Sequence, residues 1–185
     1  MDHAAFFAGV RKRLGGLKQG QVDGLSVLLK ATEGWPVTWV SYALATAWHE
    51  TAQTMQPIKE AGGDAYFKRM YDPQGERPQV AARLGNTRPG DGAKYAGRGY
   101  VQLTGRDNYA RNGLTDRPDD AMKPEVAGDI LRRGMESGHF SGRKLADYLP
   151  GDYVGARRII NGTDRADKVA GYAISFEAAL REAGR

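Results

Sequence analysis

The sequence predicts a mainly helical α+β fold. Apolar residues recur at helical spacing in segments that begin near residues 21, 36, 124 and 165. Residues 72–94 are crowded with Gly, Pro, Asn, Asp and Arg, which predicts a long irregular stretch. The segment GRGYVQLTG at residues 97–105 is the best candidate for short strands. Because long loops in compact domains tend to line binding sites, we expect the function to involve this irregular region.

The helices can be justified in chain order. Residues 21–33 carry their apolar side chains on one helical face, and residues 36–51 begin with Pro36 in a favoured first-turn position. A third helix begins at Pro124, and a fourth spans residues 165–182. Their apolar stripes predict helices that pack on a common core.

Length and composition limit the class of protein. A chain of 185 residues is the size of one domain, so we expect a single catalytic domain over residues 1–185. No apolar run of about 18 residues is present, and we expect no stable membrane insertion. The absence of cysteine excludes disulfides and thiolate chemistry and fits a reducing compartment. We expect a monomer that needs no cofactor.

Charge and the N-terminal segment bear on partners and localisation. The formal net charge of +5 favours anionic partners: nucleic acid, a membrane surface, or an acidic polymer such as bacterial cell wall. Charge alone does not choose among them. The N-terminal sequence MDHAAFFAGVRKRLGG places its cationic residues after a short apolar patch, the reverse of a signal peptide. Export by such a signal is therefore not expected.

Two glutamates lie close together in the segment YALATAWHETAQTMQPIKEAGG, residues 42–63. Glu50 extends a largely apolar helical face, a setting that suits a general acid. Glu60 follows Pro57 and precedes two glycines, so the chain can fold back and aim this carboxylate at a groove. Paired carboxylates are what glycosidic hydrolysis requires, although a solvated surface charge is the alternative for each. The face that Glu50 shares is formed by Trp39, Ala43, Thr46 and Ala47.

A metal site is not predicted. His49 and Glu50 begin a zinc-protease helix motif, but position 53, where the second histidine should stand, is Gln53. Elsewhere the chain has only His3 and His139, and no cysteine can replace the missing ligands. No glycine-rich phosphate loop is present either.

Three motifs and one glutamate occur in a fixed order along the chain: AWHETAQ, then Glu60, then YAGRGYVQLTGRDNYARNG, then RRIINGTDRADKVAGY. Over about residues 20–175 the chain resembles glycoside hydrolase family 19, the chitinase-like group, and most closely its bacteriophage endolysin branch. The resemblance implies a lysozyme-like α+β fold, with a helical body, a small β and loop region, and a cleft between two lobes.

The resemblance also implies roles for the site residues. Glu50 matches the general acid and Glu60 the general base, with Glu76 as an alternative second carboxylate. Thr104 matches a hydroxyl that helps to hold the attacking water. Lys168 lies where many relatives carry an arginine near the base, so a bidentate partner would become a point charge. The positions that match polar or cleft-lining residues of the family are Gln102, Asn108, Ile160 and Asn161.

Alternatives remain open for several of these residues. Gln102 is either a sugar ligand or a polar strand residue facing solvent, Asn108 a ligand or a turn former, and Asn161 a ligand or part of a helix stop. The tyrosines in loop-like surroundings are expected to stack on sugar faces: Tyr66, Tyr71 and Tyr95.

The predicted function is that of a phage endolysin that hydrolyses β-1,4 bonds between N-acetylmuramic acid and N-acetylglucosamine in peptidoglycan. A chitinase is the first alternative, since both polymers contain N-acetylglucosamine. A non-catalytic wall-binding or nucleic-acid-binding protein is the alternative of another class, but no nucleic-acid module matches by motif, and we expect no nucleic-acid partner. We expect synthesis in the host bacterial cytoplasm and action at the wall after membrane permeabilisation.

Overall fold

The computed structural model describes residues Met1–Arg185. It is mainly helical with one two-stranded sheet, which confirms the predicted class. None of its helices is both long and apolar enough to span a bilayer. The α-helices are α1 (His3–Leu14), α2 (Gln19–Ala31), α3 (Val37–Glu50), α4 (Asp64–Tyr71), α5 (Pro78–Arg83), α6 (Asp91–Lys94), α7 (Arg106–Arg111), α8 (Pro124–Ser137) and α9 (Ala166–Glu182). The strands are β1 (Ile58–Lys59) and β2 (Arg98–Gly99), and short 3-10 helices lie at Pro118–Met122, Leu145–Asp147 and Gly155–Ile159.

One compact unit comprises residues 1–56 and 128–185. Helix α3 is buried continuously over residues 40–48, as expected of a central core helix. Helix α9 packs against it, and the rings of Trp48 and Phe176 meet edge to face at 5.8 Å. Helix α1 packs on α9 where Gly9 approaches Ala179, so closely that a Cβ at Gly9 would lie 3.1 Å from the Ala179 Cβ. The end of α3, where Glu50 lies, is therefore fixed by the core.

A close backbone approach holds the turn that follows α3. A Cβ added to Gly24 on α2 would lie 1.7 Å from the carbonyl oxygen of Met55, so only glycine permits this packing. Thr51 strengthens the turn, because its hydroxyl accepts a hydrogen bond from the Met55 N–H at 3.0 Å and donates one to the Ala47 carbonyl.

The second compact unit comprises residues 57–127. Strands β1 and β2 pair antiparallel, with Ile58 opposite Gly99 and Lys59 opposite Arg98. The Arg98 side chain is 4 % exposed; it pairs with Asp119 at 2.9 Å and donates to the Tyr109 hydroxyl at 3.0 Å. This buried guanidinium ties the strand pair to the rest of the unit.

The prediction of a long irregular stretch at residues 72–94 is wrong in part, because α5 and α6 form within these residues. Asp72 is buried and accepts hydrogen bonds from the Gly90 and Gly92 N–H groups at 2.7 and 2.6 Å. Asp91 begins α6, accepts from two backbone N–H groups and pairs with Arg106. The turn-forming residues of this stretch therefore form the connections between short helices, and they do not prevent those helices from forming.

The four helices expected from periodicity are present as α2, α3, α8 and α9. Pro36 is the N-cap of α3, one position before the first turn. The expectation of one catalytic domain over residues 1–185 stays a prediction.

Candidate active site

Glu50 is the last residue of α3, and its carboxylate is held by a buried arginine. The Arg157 guanidinium donates from Nη1 to Glu50 Oε1 at 2.6 Å and from Nε to the Asp164 carbonyl at 2.8 Å. The Arg157 side chain is 1 % exposed and that of Glu50 17 %. A charge so fully removed from water requires a partner, so this pair fixes the Glu50 side chain strongly.

Arg157 is a residue that the sequence reasoning missed. It lies in the 3-10 helix Gly155–Ile159, directly before the Ile160–Asn161 pair. Arg157 is part of the segment RRIING, but the sequence of this segment does not indicate whether the arginine is buried or exposed. Its partner lies 107 positions earlier in the chain, and only tertiary packing brings the two together.

His49 and Lys168 lie on the same unit as Glu50. Burial, more than any other cause, lowers the pKa of His49; the positive charges of Arg157 and Lys168 act in the same direction, while the Glu50 charge opposes them. Lys168 is exposed, with its ammonium 5.9 Å from the centre of the Tyr172 ring. The guanidinium that contacts Glu50 is that of Arg157, and no contact between Lys168 and Glu50 is formed.

Glu60 follows β1, and both of its carboxylate oxygens are held. The Tyr71 hydroxyl donates to Oε1 at 2.7 Å, and the Gly97 N–H donates to Oε2 at 3.2 Å. The Glu60 N–H in turn donates to the Gly97 carbonyl at 2.8 Å. Burial, followed by the hydrogen bond to Glu60, raises the pKa of Tyr71, so its hydroxyl stays protonated and acts as a donor.

Three polar side chains converge above Gly97. A Cβ added to this glycine would lie 2.8 Å from Gln102 Oε1, 3.1 Å from Glu60 Oε2 and 3.2 Å from Thr104 Oγ1. The structure thus brings the expected base, the expected water-holding hydroxyl and one expected sugar ligand together in one unit. A methyl group at this position would therefore displace these side-chain oxygens.

Gln102 and Thr104 are positioned by backbone contacts. Gln102 has a φ of +53°, and its amide donates to the Ile58 carbonyl at 3.0 Å, so it is no simple solvent-facing strand residue. The Thr104 hydroxyl donates to the Gln102 carbonyl at 2.7 Å, which leaves its oxygen to accept a hydrogen bond from water. Asn108 donates to the Thr104 carbonyl at 2.8 Å, so its amide supports this loop. Sugar binding by Gln102 and Asn108 stays a prediction.

Glu76, the alternative second carboxylate, occupies a different setting. Its side chain is 66 % exposed and lies 3.8 Å from the Arg69 guanidinium. It has none of the converging donors that surround Glu60. We retain Glu60 as the candidate base.

The aromatic residues separate into different environments. The structure contradicts the expected sugar platform at Tyr95, which is fully buried, with its ring against Tyr109 at 5.3 Å and under the Arg106 guanidinium at 5.0 Å. It is buried because α6 turns this side chain into the unit instead of leaving it on a loop. Tyr71 lies on α4, and its hydroxyl donates a hydrogen bond to Glu60. Tyr66, also on α4, is 37 % exposed, and its stacking role stays a prediction.

Ile160 and Asn161 lie on the unit that carries Glu50. Ile160 is half-buried and Asn161 is exposed, and the Asn161 N–H donates to the Arg157 carbonyl at 3.0 Å. The pair is thus continuous with the segment that holds Glu50, and its contact with sugar stays a prediction. No group of three or more His, Asp or Glu side chains is arranged to hold a metal ion.

No protein-family model and no curated protein matches the sequence. Solved structures do match: chitinase C from Streptomyces griseus at 19% identity, over 96% of this chain and 76% of that chain, with a TM-score of 0.56. A mutant of chitinase C matches over the same shares at 19% identity with a TM-score of 0.61. A bacterial family 19 chitinase matches at 18% identity, over 99% of this chain and 94% of that chain, with a TM-score of 0.52. The chain therefore has the lysozyme-like fold of these chitinases.

Proposed function

We propose, on the premise of this shared fold, that the protein is a glycoside hydrolase that cleaves β-1,4 bonds of an N-acetylated bacterial glycan. One observation carries the proposal: Glu50 and Glu60 are each held by dedicated donors, the first by buried Arg157 and the second by Tyr71 and the Gly97 N–H. Catalytic groups need such support to keep a productive geometry.

In the proposed mechanism, Glu50 gives its proton to the glycosidic oxygen as the bond to the anomeric carbon breaks. Glu60 takes a proton from a water molecule, and the resulting hydroxide oxygen bonds to that carbon from the opposite face. In the free protein Glu50 is the carboxylate of the ion pair with Arg157, which contacts Oε1, so the proton that Glu50 gives up must first bind to Oε2. The guanidinium then stabilises the carboxylate that Glu50 becomes. Thr104 accepts a hydrogen bond from the attacking water and orients it.

This mechanism inverts the anomeric configuration. It requires the two carboxyl groups to stand about 6.5 to 9.5 Å apart in the substrate complex, whereas a covalent intermediate on Glu60 would require about 5 to 5.5 Å. The polar group around Gly97 supports inversion, because it offers a water molecule partners next to Glu60. Thr104→Ala should lower the rate less than Glu60→Gln, since it removes an orienting contact and leaves the base in place.

The proposed substrate is peptidoglycan, and the proposed role is that of a phage endolysin. A net charge of +5 supports attraction to the anionic wall, and activity should fall as salt screens this attraction. Purified protein added to outer-membrane-permeabilised bacteria should lower their turbidity and release reducing sugar ends. Glu60→Gln serves as the inactive control. A protein that binds the walls but releases no reducing ends would be a wall-binding protein and not an enzyme.

A chitinase is the second candidate, and the names of the matched structures favour it. The two functions separate on purified substrates. Peptidoglycan should be cleaved faster than N-acetylglucosamine oligomers of matched length. Comparable rates on both would favour the chitinase.

The proposed place of synthesis is the host bacterial cytoplasm, with action at the wall after the membrane is opened. Expression inside bacteria should then lyse cells poorly until a pore former or solvent permeabilises the membrane. Prompt lysis without membrane damage would contradict this part of the proposal.

A further inference from the structure

The turn directly after Glu50 has an unusual backbone. Ala52, Gln53 and Met55 have φ values of 49°, 69° and 54°, in the left-handed region that residues other than glycine rarely adopt. Such a conformation persists only where the surroundings hold it, and it is concentrated at functional sites. Here the Thr51 hydroxyl and the close approach of Gly24 hold it. The turn is therefore a rigid part of the surface beside the candidate acid.

Two surface depressions share this turn. The first, of about 290 Å³, is lined by His49, Gln53, Lys168 and Tyr172, together with Ala52. The second, of about 450 Å³, is also lined by Ala52 and Gln53 and extends to Lys18, Gln21 and Thr54. The same two residues line both, so the two depressions border one turn. We call them the turn groove.

The turn groove has a single sign of charge. One lysine lines each depression, Lys168 the first and Lys18 the second, and no carboxylate lines either one. Other depressions of the protein differ: one near Arg69 is lined by Asp72 and Glu76, and another near the N-terminus is lined by Glu33. The positive charge of the turn groove therefore favours binding of a ligand that carries several carboxylates.

Neutral hydrogen-bonding groups accompany the two lysines. The Gln53 amide donates to the Tyr172 hydroxyl at 3.3 Å, and both groups face the first depression. Burial lowers the pKa of His49, which leaves this ring neutral and able both to donate and to accept. Amides, a phenol and a neutral imidazole suit the peptide groups of a ligand as the lysines suit its carboxylates.

We propose that the turn groove binds the acidic peptide stem that peptidoglycan carries on its muramic acid residues. His49 lines the first depression and directly precedes Glu50 in the chain, and the proposed path leads from a sugar held at Glu50 into this depression. The stem then continues along Gln53 toward Lys18. Chitin bears no such substituent, so the groove distinguishes the two polymers. This inference rests on the proposed function and deepens it.

The experiment compares two forms of one substrate. Reducing ends are measured on intact peptidoglycan and on the same glycan after an amidase has removed the stems, and the ratio of the two kcat/KM values is taken. Lys18→Gln should lower this ratio about three- to tenfold, the range for one charge-assisted contact at a partly solvated site. Lys18→Arg should restore it. The backbone N–H of Lys18, which donates to Gln21 Oε1 at 2.8 Å, is unaffected by either substitution.

Lys30→Gln is the matched control, since Lys30 is exposed on the same unit but lies near Glu33, outside the turn groove. It should leave the ratio at the wild-type value. An unchanged ratio in Lys18→Gln, or an equal fall in Lys30→Gln, overturns the inference while the glycosidase proposal stands. Release of no reducing ends from either substrate overturns the proposed function instead.

A binding measurement decides the inference without catalysis. A soluble N-acetylmuramyl peptide with an intact stem is titrated into the protein, and ring proton signals of His49 and Tyr172 are followed by NMR. They should shift with this ligand and not with a stem-free N-acetylglucosamine oligomer, and Lys18→Gln should weaken the binding about three- to tenfold. The absence of stem-dependent shifts overturns the inference.

Discussion

The substitution Glu50→Gln should reduce the stability of the protein as well as its activity. It removes the negative charge opposite Arg157, whose side chain is 1 % exposed, but keeps an oxygen that can accept the 2.6 Å hydrogen bond. Removing one partner of a buried pair typically costs about 3 to 5 kcal/mol. Because the hydrogen bond remains and Glu50 is partly exposed, we expect about 2 to 3 kcal/mol. For a domain of this size that loss lowers the thermal midpoint by about 4 to 12 °C.

Thermal and urea unfolding measure this loss. Glu182→Gln is the control, because it breaks an ion pair with Arg13 in which the glutamate is half-exposed, and it should change the midpoint little. Adding Arg157→Met to Glu50→Gln removes the unpaired buried charge, so the double variant should be more stable than the sum of the single losses predicts. If Glu50→Gln is as stable as Glu182→Gln and the double-mutant cycle shows no coupling, the buried pair does not form.

Three further predictions concern the second unit. Gly97→Ala places a methyl group within 3.2 Å of three side-chain oxygens and should lower kcat about 10²-fold in a reducing-end assay. Near-normal turnover would contradict a catalytic role for the polar groups around Gly97. Tyr71→Phe removes the 2.7 Å donor to Glu60 and should lower kcat more than it changes KM; an effect on KM alone would indicate a sugar-binding role instead. Burial opposes ionisation of Asp91, but hydrogen bonds from Arg106 and backbone N–H groups outweigh it and lower the Asp91 pKa below its usual value. Its contribution to stability is therefore complete above the pKa of an unfolded aspartate, about 3.9, and is lost as pH falls through the lower folded-state pKa. Urea unfolding should show that Asp91→Asn loses less stability than the wild type as the pH is lowered through this range.

The sequence was sufficient to place the candidate acid. Helical periodicity located α3, and the apolar face that leads to Glu50 follows from this period. The glycines around Glu60 and the segment at residues 97–105 indicated where the chain folds back, and the structure pairs β1 with β2 there. These features depend on local spacing, which a sequence records directly.

Other features depend on contacts between distant parts of the chain. Arg157 is buried because Glu50 compensates its charge, and neither residue carries a local signal of the other. Tyr95 has the turn-rich neighbours of an exposed loop residue, but α6 and the Arg106 guanidinium enclose its ring. Convergence of Thr104 and other polar groups above Gly97 likewise follows from backbone geometry that spacing alone does not specify.

The anomeric form of the first product tests most directly whether Glu50 and Glu60 act as the acid and the base of an inverting glycosidase. Proton NMR spectra are recorded within the first turnovers on peptidoglycan fragments, before mutarotation mixes the anomers, with Glu60→Gln as the inactive control. We predict that the α anomer appears first and that the control releases no product. A β anomer as the first product, or near-normal turnover by Glu60→Gln, would contradict the assignment of Glu60 as the base that activates water.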